Sequence, residues 1–382
     1  MCEGWEKLNI MKSGMAITAC VGAALVLAPA LRPSAANALL IEIDPRAGAL
    51  PAAVSANNLV VVGGLDGGGG FYWMPTKGVL FNGGEVSNDV SGDGRTIVGI
   101  AKDTGGIRQA GIWIGSTEWR LLGSFTPTAL PCETTLSTAY GVSRDGQVVV
   151  GFARDGCALG HAFRWTASNG MVDLGSSVQG KASYALDVSG DGNVVVGYQE
   201  AANGVRQGVR WLNGHQELIP GINSPVGQAS GTNVDGSIVV GRDCRPVLGN
   251  ADQSAWVWTA QTGTKCLPAP RRITVPGPGV GPPVSVEAKA TSDDGQVIGG
   301  GQDVGGSADS NAIVWIGGRP AYLKDLLQAN GVPNAFANWV NTGEITGITP
   351  DGHILVGWGA AALGFRGYIV VLGGSLVIPP YP

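Results

Sequence analysis

The chain has 382 residues, among them 63 glycines; 44% are hydrophobic and only 14% charged, and the net charge is −5. No Lys/Arg run could track a phosphate backbone, which argues against nucleic acid as a partner. The composition is poor for long helices, lacks a collagen period and suits many short strands joined by tight turns.

The N-terminus reads as an export signal. Lys12 precedes an apolar run from Met15 to Leu31, and Ala36-Asn37-Ala38 has the small-x-small form of a cleavage site. Met11 is an alternative start with a more typical charged region. Cleavage after Ala38 divides the chain into a signal peptide, 1–38, and one domain, 39–382. An uncleaved anchor is the alternative, because the run approaches the lower length of a membrane span. A lipidation site at Cys20 is a weaker one. The expected location is secreted or periplasmic, with surface association left open.

Past the signal, Leu39–Ile43 reads as a strand. Then a phrase begins to recur: an apolar approach, Ser-x-Asp-Gly, and an apolar run ending in glycine. It runs Val90–Gly99, Val142–Gly151 and Val188–Gly197. Degenerate copies are Asn233–Gly241, Ser292–Gly300 and Thr349–Gly357, and Val54–Gly63 has Asn57-Asn58 in place of Asp-Gly. Asp-Gly between apolar runs is a hairpin signal, since glycine takes positive φ and aspartate bonds nearby amides. The six aspartates Asp93, Asp145, Asp191, Asp235, Asp294 and Asp351 are therefore read as turn caps, not as metal ligands or catalytic acids. The continuous β-branched runs, such as Val148–Val150, read as strands buried on both faces.

A second phrase follows each copy, best seen in His161-Ala162-Phe163-Arg164-Trp165-Thr166 and Gly170–Gly175. Its aromatic slot holds Trp73, Trp113, Trp165, Trp211, Trp258 and Trp315, with Val370 in the last copy. Recurrence at one strand position points to packing between repeats. Each repeat supplies about four strands, typified by Ser183–Val188, Asn193–Tyr198, Gln207–Trp211 and Gln216–Ile219. Four-stranded sheets with two apolar faces become stable when stacked radially. The closing glycines Gly63, Gly99, Gly151, Gly197, Gly241, Gly300 and Gly357 step by 36 to 59 residues, around the ~40–50 of a propeller blade. The expectation is an all-β, seven-bladed β-propeller of four-stranded antiparallel blades. Its ring needs a closing strand. Ser375–Ile378, after Gly373-Gly374, is preferred over Leu39–Ile43 for that place.

The pairing of V-S-x-D-G-x-V-V-V-G with A-F-R-W-T-x-x-x-G-M-x-x-L-G resembles the HAF repeat of bacterial extracellular proteins. Leu323–Leu327 through Gly331, Trp339, Gly347 and Gly357 is similar to the closing part of such arrays. A glycine-ended second strand before an aromatic third is also similar to kelch propellers. The resemblance covers roughly residues 50–372 and implies a fold and an extracellular setting, without specifying an activity.

Removal of the signal leaves Cys132, Cys157, Cys244 and Cys266. An even count in an exported chain suggests two disulfides, and three connectivities are possible. If blades run from axis to rim in chain order, Cys132–Cys157 and Cys244–Cys266 are each local and on one face, which is the expected pairing. Ligand candidates are sought where the repeat is broken, because loops on a rigid scaffold carry function. They are Trp119, Trp339 and Trp358, and Arg271-Arg272 in the Pro/Gly-rich strap Leu267–Val286; Trp256 is a further unrepeated tryptophan. Leu323, Leu326 and Leu327 share one face of a short helix that Asn330-Gly331 stops. His161, His215 and His353 fall in separate repeats, and no catalytic triad, metal spacing or cofactor motif emerges. The reading is a monomeric, non-catalytic binding or surface-structural propeller for an unknown protein or carbohydrate ligand, with no cofactor. The alternative is a propeller hydrolase or lyase acting on extracellular glycans.

Overall fold

The Asp-Gly turns are built alike. In the computed structural model, Asp145 Oδ1 accepts the Ser143 hydroxyl at 2.6 Å and the Gln147 N–H at 3.0 Å. Ser143 Oγ in turn accepts the Val148 N–H at 2.9 Å, and Gly146 takes a φ of +74°. The same circuit forms at Ser91/Asp93, Ser189/Asp191, Ser292/Asp294 and Thr349/Asp351. These carboxylates cap turns, and each sequence copy of the phrase becomes a hairpin. The structure describes residues 37–44, 48–57, 59–115, 118–125, 135–155, 159–221, 225–244, 254–270, 284–304 and 310–380.

The strands run in order from β1 (Ala38–Ile43). Five four-stranded antiparallel sheets follow, each paired in chain order. The first is β2 (Ala49–Val54), β3 (Val61–Leu65), β4 (Gly70–Met74) and β5 (Gly78–Phe81). The second is β6 (Val86–Val90), β7 (Ile97–Lys102), β8 (Arg108–Trp113) and β9 (Arg120–Gly123). The third is β10 (Ser137–Val142), β11 (Val148–Arg154), β12 (Gly160–Thr166) and β13 (Gly170–Gly175). The fourth is β14 (Ser183–Val188), β15 (Val194–Glu200), β16 (Arg206–Leu212) and β17 (His215–Leu218). The fifth is β18 (Gln228–Thr232), β19 (Ile238–Arg242), β20 (Trp256–Thr259) and β21 (Gly263–Cys266). An eight-stranded sheet takes β22 (Val284–Thr291), β23 (Val297–Val304), β24 (Asn311–Ile316), β25 (Arg319–Tyr322), β26 (Glu344–Ile348), β27 (Ile354–Ala361), β28 (Gly364–Leu372) and β1. Its two halves meet through the single pair Gly301–Glu344. The fold is an all-β propeller with four-stranded antiparallel blades.

Each first strand carries a β-bulge at the same place. The register skips Ala52, Asn88, Tyr140, Leu186, Ser230, Lys289 and Thr346. The bulge bends the first strand into the second, and this explains the closing glycine of the repeat. A Cβ on Gly197 would fall on the Tyr184 carbonyl oxygen, and one on Gly151 on that of Thr138. Only glycine tolerates such an approach.

The aromatic slot packs between sheets. Trp165, Trp211, Trp258 and Trp315 are buried, and the core is a series of clusters, each joining neighbouring sheets. Trp211 Nε1 donates to Leu174 O at 3.2 Å, and Trp315 Nε1 to Pro268 O at 2.7 Å. Each acceptor lies on the preceding sheet or just past it.

The ring closes differently from the sequence expectation. β1 pairs with β28 over six residues, from Ala38–Leu372 to Ile43–Gly367, whereas Ser375–Ile378 forms no strand. The Gly373 N–H donates to Asn37 O at 2.7 Å, so the free edge of β28 is already taken where the C-terminal segment begins. That segment leaves toward the helix, where the Val377 N–H meets Asn330 Oδ1 at 2.8 Å. Ala38 pairs with Leu372, so cleavage after it would leave the strand beginning at Leu39. Helix α1 (Leu323–Ala329) buries Leu323, Leu326 and Leu327 against the cluster of Val314, Ile345 and Tyr368. Cys244 and Cys266 form a disulfide with a Cα separation of 5.6 Å. Cys132 and Cys157 lie outside the described residues.

Candidate functional site

A tunnel of about 560 Å³ runs along the axis, lined by residues of β2, β6, β10, β14, β18, β22 and β26. The bulges dominate its wall, because all seven skipped residues, Ala52 to Thr346, line it. A bulge turns one extra side chain out of the pleat, and here it turns that side chain toward the axis.

At the mouth, where the first strands begin, the wall is polar on one arc. The Ser230 hydroxyl donates to Glu287 Oε1 at 2.7 Å, and Gln228 Nε2 to the same oxygen at 3.2 Å. Arg206 Nη1 holds Gln228 Oε1 at 2.7 Å. Lys289 Nζ meets Glu344 Oε1 at 2.8 Å. Burial disfavours the Lys289 ammonium, but Glu344 and Glu287 outweigh that cost and raise its pKa. Beside this arc, outside the lining, is an aromatic stack. Tyr184 stacks on Phe152 at 4.4 Å and on Tyr198 at 4.8 Å, and Arg206 caps Tyr198 at 4.4 Å.

Deeper, Asp89 and Asp187 line the throat. Asp89 accepts the Val90 N–H at 2.7 Å and the Val142 N–H at 2.8 Å. Asp187 likewise accepts from Val188 and Thr232. Each carboxyl thus ties its own strand to that of the next sheet. Enclosure pushes the Asp187 pKa up to about 7, against the pull of these N–H donors. Enclosure also raises that of Asp89 to about 8, helped by the charge of Asp187. Both side chains keep partial contact with the tunnel space.

The far end is narrow. Arg144 Nη2 reaches Asp293 Oδ2 at 2.9 Å, joining the turns of the third sheet and the β22–β23 hairpin. Backbone bonds link the turns in a chain: Asn57 N–H to Gly92 O, Gly92 N–H to Arg144 O, and Arg144 N–H to Gly190 O.

The candidates read from sequence separate. Trp358 lines the tunnel and meets Phe365 edge-on at 5.3 Å. Trp119 is a packing residue: its Nε1 donates to Asn82 O at 2.8 Å, and Gly84 and Gly111 leave room for its ring. Trp256 is fully buried, with Nε1 on Arg242 O. Trp339 packs with Phe336 and Tyr368 and donates to Glu42 Oε1 at 3.0 Å, which secures the closing strand. Arg271 and Arg272 lie outside the described residues. His161 pairs with Asp173 at 3.0 Å and His353 Nδ1 sits 3.1 Å from Leu372 O, each away from the tunnel lining. Among the described residues, no three His, Cys, Asp or Glu side chains group as a metal site, and no helix is long and apolar enough to cross a membrane.

Sequence reading missed Asp89, Tyr140, Asp187, Ser230, Glu287, Lys289 and Glu344. A signal was present. The bulged residue sits three before the Ser, Thr or Asn that opens each turn, and it is where the copies differ.

No family model matches the chain, and no curated protein matches it in sequence. Solved structures are similar in fold. TolB from Acinetobacter baumannii is 11% identical, covering 86% of this chain and 64% of that one, with a TM-score of 0.43. A prolyl endopeptidase is 12% identical, covering 87% and 51%, with a TM-score of 0.51. Oligogalacturonate lyase from Vibrio parahaemolyticus is 11% identical, covering 87% and 96%, with a TM-score of 0.51. The chain thus spans 64% of the length of TolB and about half that of the peptidase. At such identities the likeness is one of fold, a β-propeller, and fold alone does not carry function.

Proposed function

We propose that this protein is a non-catalytic, exported, seven-bladed propeller of the HAF-repeat type that binds a protein or carbohydrate ligand in the mouth of its axial tunnel. One observation carries the reading. Turn, closing glycine and aromatic slot recur from repeat to repeat, whereas the bulged position facing the tunnel holds Ala52, Asn88, Tyr140, Leu186, Ser230, Lys289 and Thr346. Parts alike for folding and unlike at one cavity-facing position favour recognition, and the volume suits a small ligand or a chain end. The count of seven rests on dividing the eight-stranded sheet at its lone Gly301–Glu344 pair. Each half then has four strands and its own turn. Export is supported by the Cys244–Cys266 disulfide, since such bonds persist in oxidising compartments.

Glycan and peptide arrays probed with the whole chain test the reading. The parent should score, and a Tyr140→Ala, Lys289→Ala, Trp358→Ala variant of similar melting temperature should not. Undiminished binding by the variant would remove the tunnel from consideration. A second reading, a hydrolase or lyase acting on glycans, is favoured by Asp89 and Asp187. They hold the same position in the second and fourth sheets, face one cavity, and have pKa values raised to about 8 and about 7. Polysaccharide turnover by the parent, abolished in Asp187→Asn, would select it.

A further inference from the structure

We infer that a second site lies in the groove between the first and second sheets on the turn side, and that it takes a carboxylate carried on an aromatic or apolar body. The inference does not depend on the tunnel.

It starts from a place where the repeat fails. In the four slots that follow Trp113, the tryptophan finds a polar partner on the preceding sheet or just past it. Trp211 and Trp315 donate to carbonyls there. Trp165 is covered by Arg120 at 5.0 Å, and Trp258 by Arg210 at 4.5 Å. Among the described residues, Trp113 has neither kind of partner. The nearby carbonyl of Asn82 is taken by Trp119 Nε1. The position held by Arg164 and Arg210 in later sheets is Tyr72, a neutral ring that meets Trp113 at 5.1 Å, tilted 38°. Trp113 is only 9% exposed, and its Nε1–H is buried without an acceptor. An unmade hydrogen bond of this kind is a cost that stable structures avoid.

A groove of about 740 Å³ opens over this indole. Val60, Tyr72, Met74, Phe81, Trp113 and Ile114 form its apolar surface. Phe81 is 70% exposed and Ile114 62%, and both line this one groove. Lys77 and Arg95 stand on the rim, and among the described residues the lining contains no carboxylate. Asp93 lies 3.8 Å from Arg95, but both side chains are mostly in water and Asp93 Oδ1 is committed to its own turn. So loose a pair leaves the guanidinium able to turn toward a ligand. The groove therefore offers two cations and an apolar floor that includes the Trp113 ring, whose own N–H lies beneath the surface. Its complement is an anionic acceptor on an apolar body, which buries the body and pairs the charge.

The test uses the full chain and two probes with one ring system and opposite charge, 1-naphthylacetate and 1-naphthylmethylamine. Titration is followed by calorimetry and by the indole N–H resonances in ¹H–¹⁵N spectra. The acetate should bind at least about tenfold tighter than the amine and should shift the Trp113 Nε1–H resonance. Lys77→Glu with Arg95→Glu should abolish that preference. Trp113→Phe, which shrinks the apolar floor and removes a buried N–H that has no acceptor, should weaken acetate binding without lowering the melting temperature. Equal binding of the two probes, undetectable binding of the acetate, undiminished binding by Trp113→Phe, or a shift confined to Trp358 in the tunnel would each overturn the inference.

Discussion

Ring closure by the N-terminal strand makes a prediction that separates the two ends of the chain. Ile43 is fully buried, packed with Ala49, Val61, Phe71, Ile354 and Ile369. It pins β1 to β28 on one side and to the first sheet on the other. Ile43→Ala should cost about 2–5 kcal/mol, the usual range for emptying a buried Ile site. An unfolding entropy of about 2.1 cal/mol/K per residue gives roughly 0.7 kcal/mol/K for a domain of this size, so the melting temperature should fall by about 3–7 °C. The control is Val377→Ala, in the segment that sequence reading preferred as the closing strand. Its side chain is 55% exposed and only its backbone is engaged, so its melting temperature should stay within about 1 °C of the parent. Differential scanning calorimetry on both variants decides the matter. A neutral Ile43→Ala, or a Val377→Ala as damaging as Ile43→Ala, would refute closure through β1.

Three further outcomes follow from the geometry. Replacing Cys244 and Cys266 by alanine frees a 22-residue separation, and chemical denaturation should show a loss of about 3 kcal/mol in the chain-entropy account; an unchanged midpoint would mean the bond adds nothing to stability. Gly197→Ala sets a methyl group against the Tyr184 carbonyl and should cost about 3–5 kcal/mol, read by the same method, whereas a variant as stable as the parent would contradict the account of the closing glycines. Asp89 and Asp187 have folded pKa values of about 8 and 7, above the ordinary 3.8. The folded state thus keeps protons that the unfolded chain has already released, so their contribution to stability falls as pH rises from about 4 to 8. Relative to the parent, Asp89→Asn with Asp187→Asn should gain melting temperature between pH 5 and pH 9; a constant difference would show that these carboxyls do not titrate in that window.

What was legible in the sequence is what each repeat must do to fold. Ser-x-Asp-Gly states its hairpin chemistry in the residues themselves, and the circuit at Ser143 and Asp145 is what those side chains can form. The Leu323, Leu326 and Leu327 spacing likewise declares a helix face. Closure was harder to read, because Leu39–Ile43 and Ser375–Ile378 are equally strand-like in isolation. The choice depends on which one reaches β28 first, and the Gly373–Asn37 bond shows the edge already occupied. The unrepeated tryptophans were weak guides for a related reason. Trp119, Trp256 and Trp339 spend their N–H groups on protein acceptors, a fact of packing that spacing does not reveal.

The tunnel was hidden by a different effect. The run Tyr184–Val188 gives no warning that Leu186 leaves the ladder, and one skipped residue changes which side chain faces the axis. Yet the closing glycine already implied it. Gly197 lies opposite Ala185, where the bulge drives the Tyr184 carbonyl into the space a Cβ would need. The glycine is there because the first strand is bent, and the bend presents one side chain per repeat to a common cavity. A mark that looked like a strand terminator is therefore the counterpart of the tunnel wall. The same logic explains why Asn88, Tyr140, Leu186, Ser230, Lys289 and Thr346 escaped notice. Aligning copies rewards positions that agree, and in a radial fold the positions free to disagree are those that face the axis instead of a neighbouring sheet.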